Sequence, residues 1–377
     1  MPCTSISSAR FCESSVAALF MLSCLSTGLM AEQLPATDDD AINEDSERAG
    51  IYRTPREQRE AGLQREFSEW LRFSGLLEGE ALSYRQQYNT PALDKTVREQ
   101  AATLQLGFIA DLYEWAEAEV VFEYDSDPDE IVVEEAFITL DFEPFELSLG
   151  KQYTPFGLYY SNFITGPMLE FGETSARHVA LANYGSDDSF DLSIAAYKGW
   201  ANQQGRHDSW DWAIGFEHAP LEGLLWGLSY QTDLADSDER LLEDDRYVNR
   251  VPGFSGFISA YSDAFGCSFE ILGALRDFQE LDPEFNHPRA WNLEFAYFLP
   301  GTDFEYAIRL EKSQELEDEP EVRYGMATTW YVNHQIIFML EFLHGRYKTM
   351  PQDPEDEDFE AAIERVNALN AKLSIQF

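Results

Sequence analysis

The 377-residue sequence predicts an all-β fold, a transmembrane antiparallel β-barrel of about sixteen strands behind a short N-terminal periplasmic helix. Three observations carry this. From residue 70 onward, segment after segment alternates apolar and polar residues with a period of two, over roughly ten positions each. Aromatic residues make up 14% of a chain whose formal net charge is −43. Beyond the N-terminus no run approaches the ~18 apolar residues that mark a membrane helix. High charge, many aromatics and short alternating segments suit a cylinder with lipid outside and water inside.

The elements follow in chain order. After Arg10, the run Val16 to Ala31 (VAALFMLSCLSTGLMA) is short of the ~20 residues of a spanning helix and ends in small residues. It reads as a secretory signal over 1–31, cut after Ala31. Cys3, Cys12 and Cys24 leave with it, and Cys267 alone cannot form an intrachain disulfide. Residues 32–50 are acidic and read as disordered. Thr54, Pro55 and Glu57 then form a helix start, with Glu57 completing a capping box. That predicts a helix from Pro55 to about Ser68, so 32–68 is an acidic periplasmic segment and 69–377 the barrel.

Within the barrel, residues 71–81 place Leu71, Phe73, Gly75 and Leu77 on one face, against Arg72, Ser74, Glu78 and Glu80. In 302–311, Phe304, Tyr306, Ile308 and Leu310 oppose Glu305, Arg309 and Glu311. Such segments fall near 70–86, 97–110, 112–124, 131–142, 145–153, 177–184, 189–198, 210–218, 223–232, 253–262, 264–276, 290–298, 303–312, 321–331, 334–346 and 367–377. Connections after even-numbered strands are short (GSDD, APLEG, LPGT, VN). Those after odd-numbered strands are mostly long, as at 87–96, 154–176, 199–209, 233–252, 313–320 and 347–366. Short turns at one rim and long loops at the other describe an outer-membrane barrel of a Gram-negative bacterium, set in lipid and lipopolysaccharide. Aromatics at strand ends (Tyr124, Tyr153, Tyr184, Trp226, Tyr230, Trp330) argue against a soluble sandwich, whose outer faces would be polar. Phe377, behind apolar residues at every second position, has the form of the C-terminal signal read by barrel assembly machinery.

The charge excludes nucleic acid as a partner, since phosphate binding needs a basic surface. The histidines are scattered, and the consecutive His207-Asp208-Ser209 is not a triad assembled in space. No cofactor motif, catalytic set or metal-ligand spacing is readable, so no enzyme is expected. The acidic runs 233–245 and 352–360 have the composition to hold calcium or to bridge lipopolysaccharides, but such runs are more often solvated loop surface.

One loop departs from the acidic character of the rest. The stretch 150–175, GKQYTPFGLYYSNFITGPMLEFGETS, is rich in aromatic and small residues. It follows the fifth strand and becomes the third external loop. Aromatics give it contact area, and Pro155, Gly157, Gly166 and Pro167 set its turns. A loop folded into the lumen needs both; a loop on the rim or at a subunit contact is the alternative.

The same stretch resembles the signature of the LbtU family of siderophore porins. The matching residues are Gly150-Lys151-Gln152, Pro155-Phe156-Gly157, and Phe171-Gly172-Glu173-Thr174 with Arg177 close behind. The barrel opening LRFSGLLEGEA and a helix before it fit the layout. Where the family has Asp-Pro-Leu, this chain has Gly166-Pro167-Met168, which removes an acid. The resemblance implies an outer-membrane porin that takes up ferric siderophore, with Lys151, Pro155, Phe156, Gly157, Glu170, Glu173 and Arg177 along a constricted ligand path. Face assignment puts many acids in the lumen, among them Glu78, Glu80, Glu117, Glu119, Glu294 and Glu341. It puts Arg72, Arg309, Arg323 and Lys372 on one basic wall that faces the loop across a transverse field, or else salt-bridges neighbouring strands. The residues alone leave open a cation-leaning diffusion porin, a structural barrel without a pore, and assembly as a homo-oligomer.

Overall fold

The computed structural model describes residues 65–126, 129–186, 190–203, 210–242, 246–262, 264–317, 319–348 and 362–377. Sixteen strands form the barrel. They are β1 Leu71–Tyr88, β2 Lys95–Tyr113, β3 Ala116–Asp125, β4 Glu130–Phe142, β5 Phe145–Tyr153, β6 Ser175–Ser186, β7 Phe190–Tyr197 and β8 Asp211–Leu221. The second half is β9 Leu224–Gln231, β10 Gly253–Tyr261, β11 Phe265–Ala274, β12 Arg289–Phe298, β13 Phe304–Gln314, β14 Val322–Tyr331, β15 Ile336–Arg346 and β16 Ile363–Gln376. Each strand pairs antiparallel with the next, and β16 closes on β1 with Lys372 opposite Glu80. Phe377 completes the seam by exchanging backbone hydrogen bonds with Gly75 at 2.7 and 3.0 Å. Its ring covers Gly75, where a Cβ would collide with it.

The period-two pattern has the consequence expected of a barrel in lipid. Outward Leu228, Ile308, Met326 and Leu369 are 54–61% exposed, while inward Glu311 and Glu341 are 0% and 1% exposed. The apolar band thus faces out and the carboxylates face in. Even-to-odd connections are tight; Gly223 and Gly301 adopt φ of 75° in two of them, a conformation that other residues resist. Aromatics ring that rim: Tyr113 stacks on Trp115 at 5.4 Å, Phe145 meets Tyr184 at 5.1 Å, and Phe304 stacks on Trp330 at 5.8 Å. Odd-to-even connections, here called L1 to L8 in chain order, are mostly the long ones, the one after β3 (126–129) being the exception. L3 spans 154–174, L4 198–210, L5 232–252 and L6 275–288.

The signal and most of the N-terminal helix expected from the sequence lie outside the described residues. The expected helix end is not helical: Arg65–Ser68 is an extended strand that pairs antiparallel with the start of β1, Arg65 opposite Phe73. The free edge hydrogen bonds of β1 outweigh a thin amphipathic face.

Candidate functional site: a strap on the lumen wall

L3 does not project into solvent. It runs along the inner wall, and its backbone is anchored strand by strand. Gly157, at φ 78°, donates its N–H to Ser229 Oγ on β9 at 3.0 Å. Leu158 and Tyr159 donate to the two oxygens of Glu270 on β11, at 2.7 and 3.1 Å. Asn162 donates to Glu294 on β12 through backbone (2.8 Å) and side chain (3.0 Å). Ile164 and Thr165 donate to Glu341 on β15 at 2.8 and 3.1 Å, and Met168 to Glu311 on β13 at 2.8 Å.

Two guanidinium groups take the strap's carbonyls. Arg309 on β13 bonds Thr165 O (2.8 Å) and Gly166 O (3.1 Å), the Ser161 hydroxyl, and Glu294 (2.8 Å). Arg323 on β14 bonds Gly166 O at 2.7 Å and Glu311 at 2.6 Å. A buried charge costs several kcal/mol unless it is paired and fully hydrogen-bonded. Here donors from the strap, acceptors on the strap and opposite charges on the wall satisfy one another.

Apolar packing completes the seat. Phe163 enters a socket lined by Ala296, Ala307, Ala327, Leu343 and Ala368, with Tyr84 of β1 beside it. Register sets Ala296 opposite Ala307 and Ala307 opposite Ala327, so small residues on adjacent strands leave room for the ring. The Arg309 guanidinium lies 4.3 Å from its centroid, a cation–π contact. On the loop side, Phe156, Met168, Leu169 and Phe171 pack with Leu234 and Tyr247 of L5, Ala201 of L4 and Phe278 of L6. At the strap's start, the missing side chain of Gly215 on β8 admits Pro155; a Cβ there would meet the Pro155 carbonyl at 2.9 Å.

The strap's acids sit in two surroundings. Burial pushes the Glu170 carboxyl up to about 7, although Arg309 and Arg323 pull against it. Burial and then Glu170, Asp238 and Glu134 push Glu173 up to about 8. Burial also lifts Asp238 of L5 to about 6, opposed by hydrogen bonds from Ser175, whose N–H reaches Asp238 at 2.9 Å.

The strap's anchors lie on β9 and β11–β16. The facing strands β1–β5 keep an acid lining. Glu78, Glu80 and Glu117 retain 20%, 25% and 37% of their side-chain area, while Glu119 and Glu135 are buried in the wall. Arg72 pairs with Asp111 (3.0 Å) and Glu117, and Lys372 with Glu78 (3.2 Å) and Glu80 (3.8 Å).

The residues singled out from the sequence are therefore split. Pro155, Phe156, Gly157 and Glu170 belong to the strap, and Glu173 to its return. Lys151 is not turned into the lumen. It stands opposite Ala136, out of step with inward Glu135 and Phe137, and donates to the Val133 carbonyl at 2.6 Å. Register shifts at Val121/Phe122 and at Gly150/Gln152 reset the faces there. Arg177 is exposed beside the second of these irregularities. Arg72, Arg309, Arg323 and Lys372 all have inward register, but Arg72 and Arg323 begin strands at opposite rims. Arg309 and Arg323 lie beneath the strap, bound to Glu294 and Glu311, so they do not oppose the loop across a gap. In-wall salt bridging prevails over the transverse field. Sequence does not mark Glu270 and Glu311 as anchors; their only signal is the inward position of an acid on a strand facing L3.

No family model matches the chain, so the likeness to the siderophore porins rests on the 150–177 motif. A UPF0422 protein of Coxiella burnetii is 26% identical over 248 residues, covering 60% of this chain and 52% of that protein. The chain thus matches about half the length of that relative. Solved structures share the fold. The outer membrane channel DcaP of Acinetobacter baumannii superposes with TM-score 0.56 at 13% identity, over 83% of this chain and 99% of that one. The anion-selective porin of Comamonas acidovorans gives 0.56 at 10%, over 81% and 99%. OprB of Pseudomonas putida gives 0.55 at 11%, over 82% and 94%.

Proposed function

We propose that the chain is an outer-membrane diffusion channel with a cation-leaning lumen, narrowed by L3. The observation that carries this is the division of the inner wall. One part is occupied by a strap fastened through Glu270, Glu294, Glu311 and Glu341, and the facing part presents Glu78, Glu80 and Glu117. An acid-lined constriction in a low-dielectric wall concentrates cations and repels free anions. The outward apolar band meets lipid and lipopolysaccharide, and Phe377 marks the chain for barrel assembly. Reconstitution in a planar bilayer under a KCl gradient tests the reading. A reversal potential of cation-selective sign is expected; anion selectivity, or no conductance, overturns it.

A finer reading, uptake of ferric siderophore, is favoured by one observation. The residues that carry the family resemblance, Pro155-Phe156-Gly157 and Glu173-Thr174, form the two feet of the strap: Thr154 and Thr174 are joined by a 2.9 Å backbone hydrogen bond. The motif therefore describes how the strap is planted. With an acid wall opposite, a neutral or cationic siderophore suits the channel better than a polycarboxylate. Iron-limited growth of a deletion strain, with and without each siderophore class, is the test. Equal rescue of deletion and parent rejects it.

A further inference from the structure

The mouth of the barrel holds a second cluster of acids that the channel reading does not use. Asp211 begins β8, and Asp233 and Asp236 flank the first turn of L5. All three are 3% exposed or less, and carboxylate oxygens from each lie within 4.8 Å of one another. That span is one a Ca²⁺ ion with bonds of about 2.3–2.6 Å can bridge. Among the described residues one cation answers them: the Arg250 Nε lies 2.8 Å from Asp211. Three buried carboxyl groups face one guanidinium among the described residues, so the site is short of positive charge whenever the acids ionise.

A second feature points into the same place. Register sets Tyr197, the last residue of β7, directly opposite Asp211. Tyr197 is 0% exposed, and the charges of Asp236, Asp211 and Asp233 act on its hydroxyl. Among the described residues neither Tyr197 Oη nor Asp236 Oδ2 has a hydrogen-bond partner. Buried oxygens of this kind are rare without a ligand or water to meet them. The remaining oxygens are already aimed by local bonds. Asp236 Oδ1 accepts the Ala201 N–H at 3.0 Å, and Asp233 accepts from Ala235 and Val251 at 3.2 Å and from the Tyr247 hydroxyl. Gly199 lies so close that a Cβ would collide with the Asp236 carboxylate.

The geometry points to a calcium site built from Asp211, Asp233, Asp236 and Tyr197, with water filling the remaining positions. The donors are all hard oxygens, as Ca²⁺ requires. The site joins β7, β8 and L5, with the Ala201 N–H of L4 bonded to Asp236, so the ion ties L5 to the rim of the barrel. L5 in turn touches the strap's return, since Asp238 donates its N–H to the Glu173 carbonyl at 2.8 Å. This inference does not depend on what the channel carries.

The test uses the full-length barrel in detergent, stripped with chelator and titrated with Ca²⁺ by calorimetry and with Tb³⁺ by luminescence. One saturable Ca²⁺ site per chain is expected at or below the ~10⁻⁴–10⁻³ M typical of extracellular sites, above the weak binding of surface acids. Asp236→Asn should weaken it at least tenfold. Tyr197→Phe should cut sensitised Tb³⁺ emission severalfold while heat-modifiable migration and β-sheet circular dichroism stay unchanged. Absence of a saturable Ca²⁺ event in the wild type overturns the site, as does tighter binding of Mg²⁺. Wild-type affinity in both variants also overturns it. If Asp236→Asn does not fold, the wild-type titration and Tyr197→Phe decide alone.

Discussion

The acids of β11–β15 and those of β1–β3 occupy equivalent inward positions, yet they live in different media. Glu294 and Glu311 have lost all side-chain contact with solvent, whereas Glu78, Glu80 and Glu117 keep a fifth or more of theirs. The first set meets backbone N–H groups and guanidinium groups that replace water one for one. The second set pairs along the wall and stays hydrated. An inward carboxylate on a barrel strand is therefore ambiguous: it is either pore lining or a fastener, and the segment that covers it decides which. The lesson extends to Arg309 and Arg323, whose charge is consumed in holding L3.

The sharpest way to break this contrast is Arg309→Ala. It leaves Glu294 and Glu311 short of a buried counter-charge and takes a donor from the Thr165 and Gly166 carbonyls, the second of which keeps Arg323, so a loss of about 3–5 kcal/mol is expected. Urea unfolding in lipid vesicles measures it, and single-channel conductance should rise as the strap lifts. Unchanged stability and conductance would show that the strap is held elsewhere. Glu341→Gln is milder, because the amide oxygen can still accept one of the bonds now made by Ile164, Thr165 and Asn370. About 1–3 kcal/mol is expected by the same assay.

Acidity separates the halves in another way. An unfolded glutamate releases its proton near 4.5, but folded Glu173 holds it to about 8. Across that window the folded strap binds more protons, so its stability is fully present below 4.5 and falls as pH rises through 8. Glu170, raised to about 7, acts in the same direction. Open-channel noise should grow between pH 5 and about 9; a pH-independent record would count against the seating of these acids. The smallest structural effect belongs to the hydrated wall. Glu80→Gln removes a part-exposed carboxylate 3.8 Å from Lys372. It should cost under about 1 kcal/mol while moving the reversal potential away from cation selectivity.

Much of this architecture is legible in residue order because a barrel has one repeating rule. Alternation in β1, β13, β14 and β16 settles which face meets lipid, and loop length settles which rim is which. The aromatic, glycine-bearing L3 announces that it is packed, since Phe156, Tyr160, Phe163 and Phe171 would be costly in water. What stays hidden is pairing at a distance. Nothing near Glu270 or Glu311 in sequence says that a segment more than a hundred residues away will donate to it. Nor does composition reveal the irregularities that turn Lys151 aside, because one extra residue in a strand swaps its faces without changing its pattern elsewhere. The end of the expected helix failed for a related reason: local capping signals could not weigh the open edge waiting at β1.

Among the described residues the polar anchors of L3 named above all lie downstream of it, from Ser229 to Asn370, which contacts Thr165 across 205 positions. The strap therefore has no polar berth until the second half of the barrel is delivered. Its berths arrive one strand at a time, and the last of them, Glu341 and Asn370, come only with the final strands, a long closure to complete. A chain shortened by its last two strands would keep the berths at Ser229, Glu270, Glu294 and Glu311 but lose those at Glu341 and Asn370, so the middle of the strap, at Ile164 and Thr165, would be the part left unmoored.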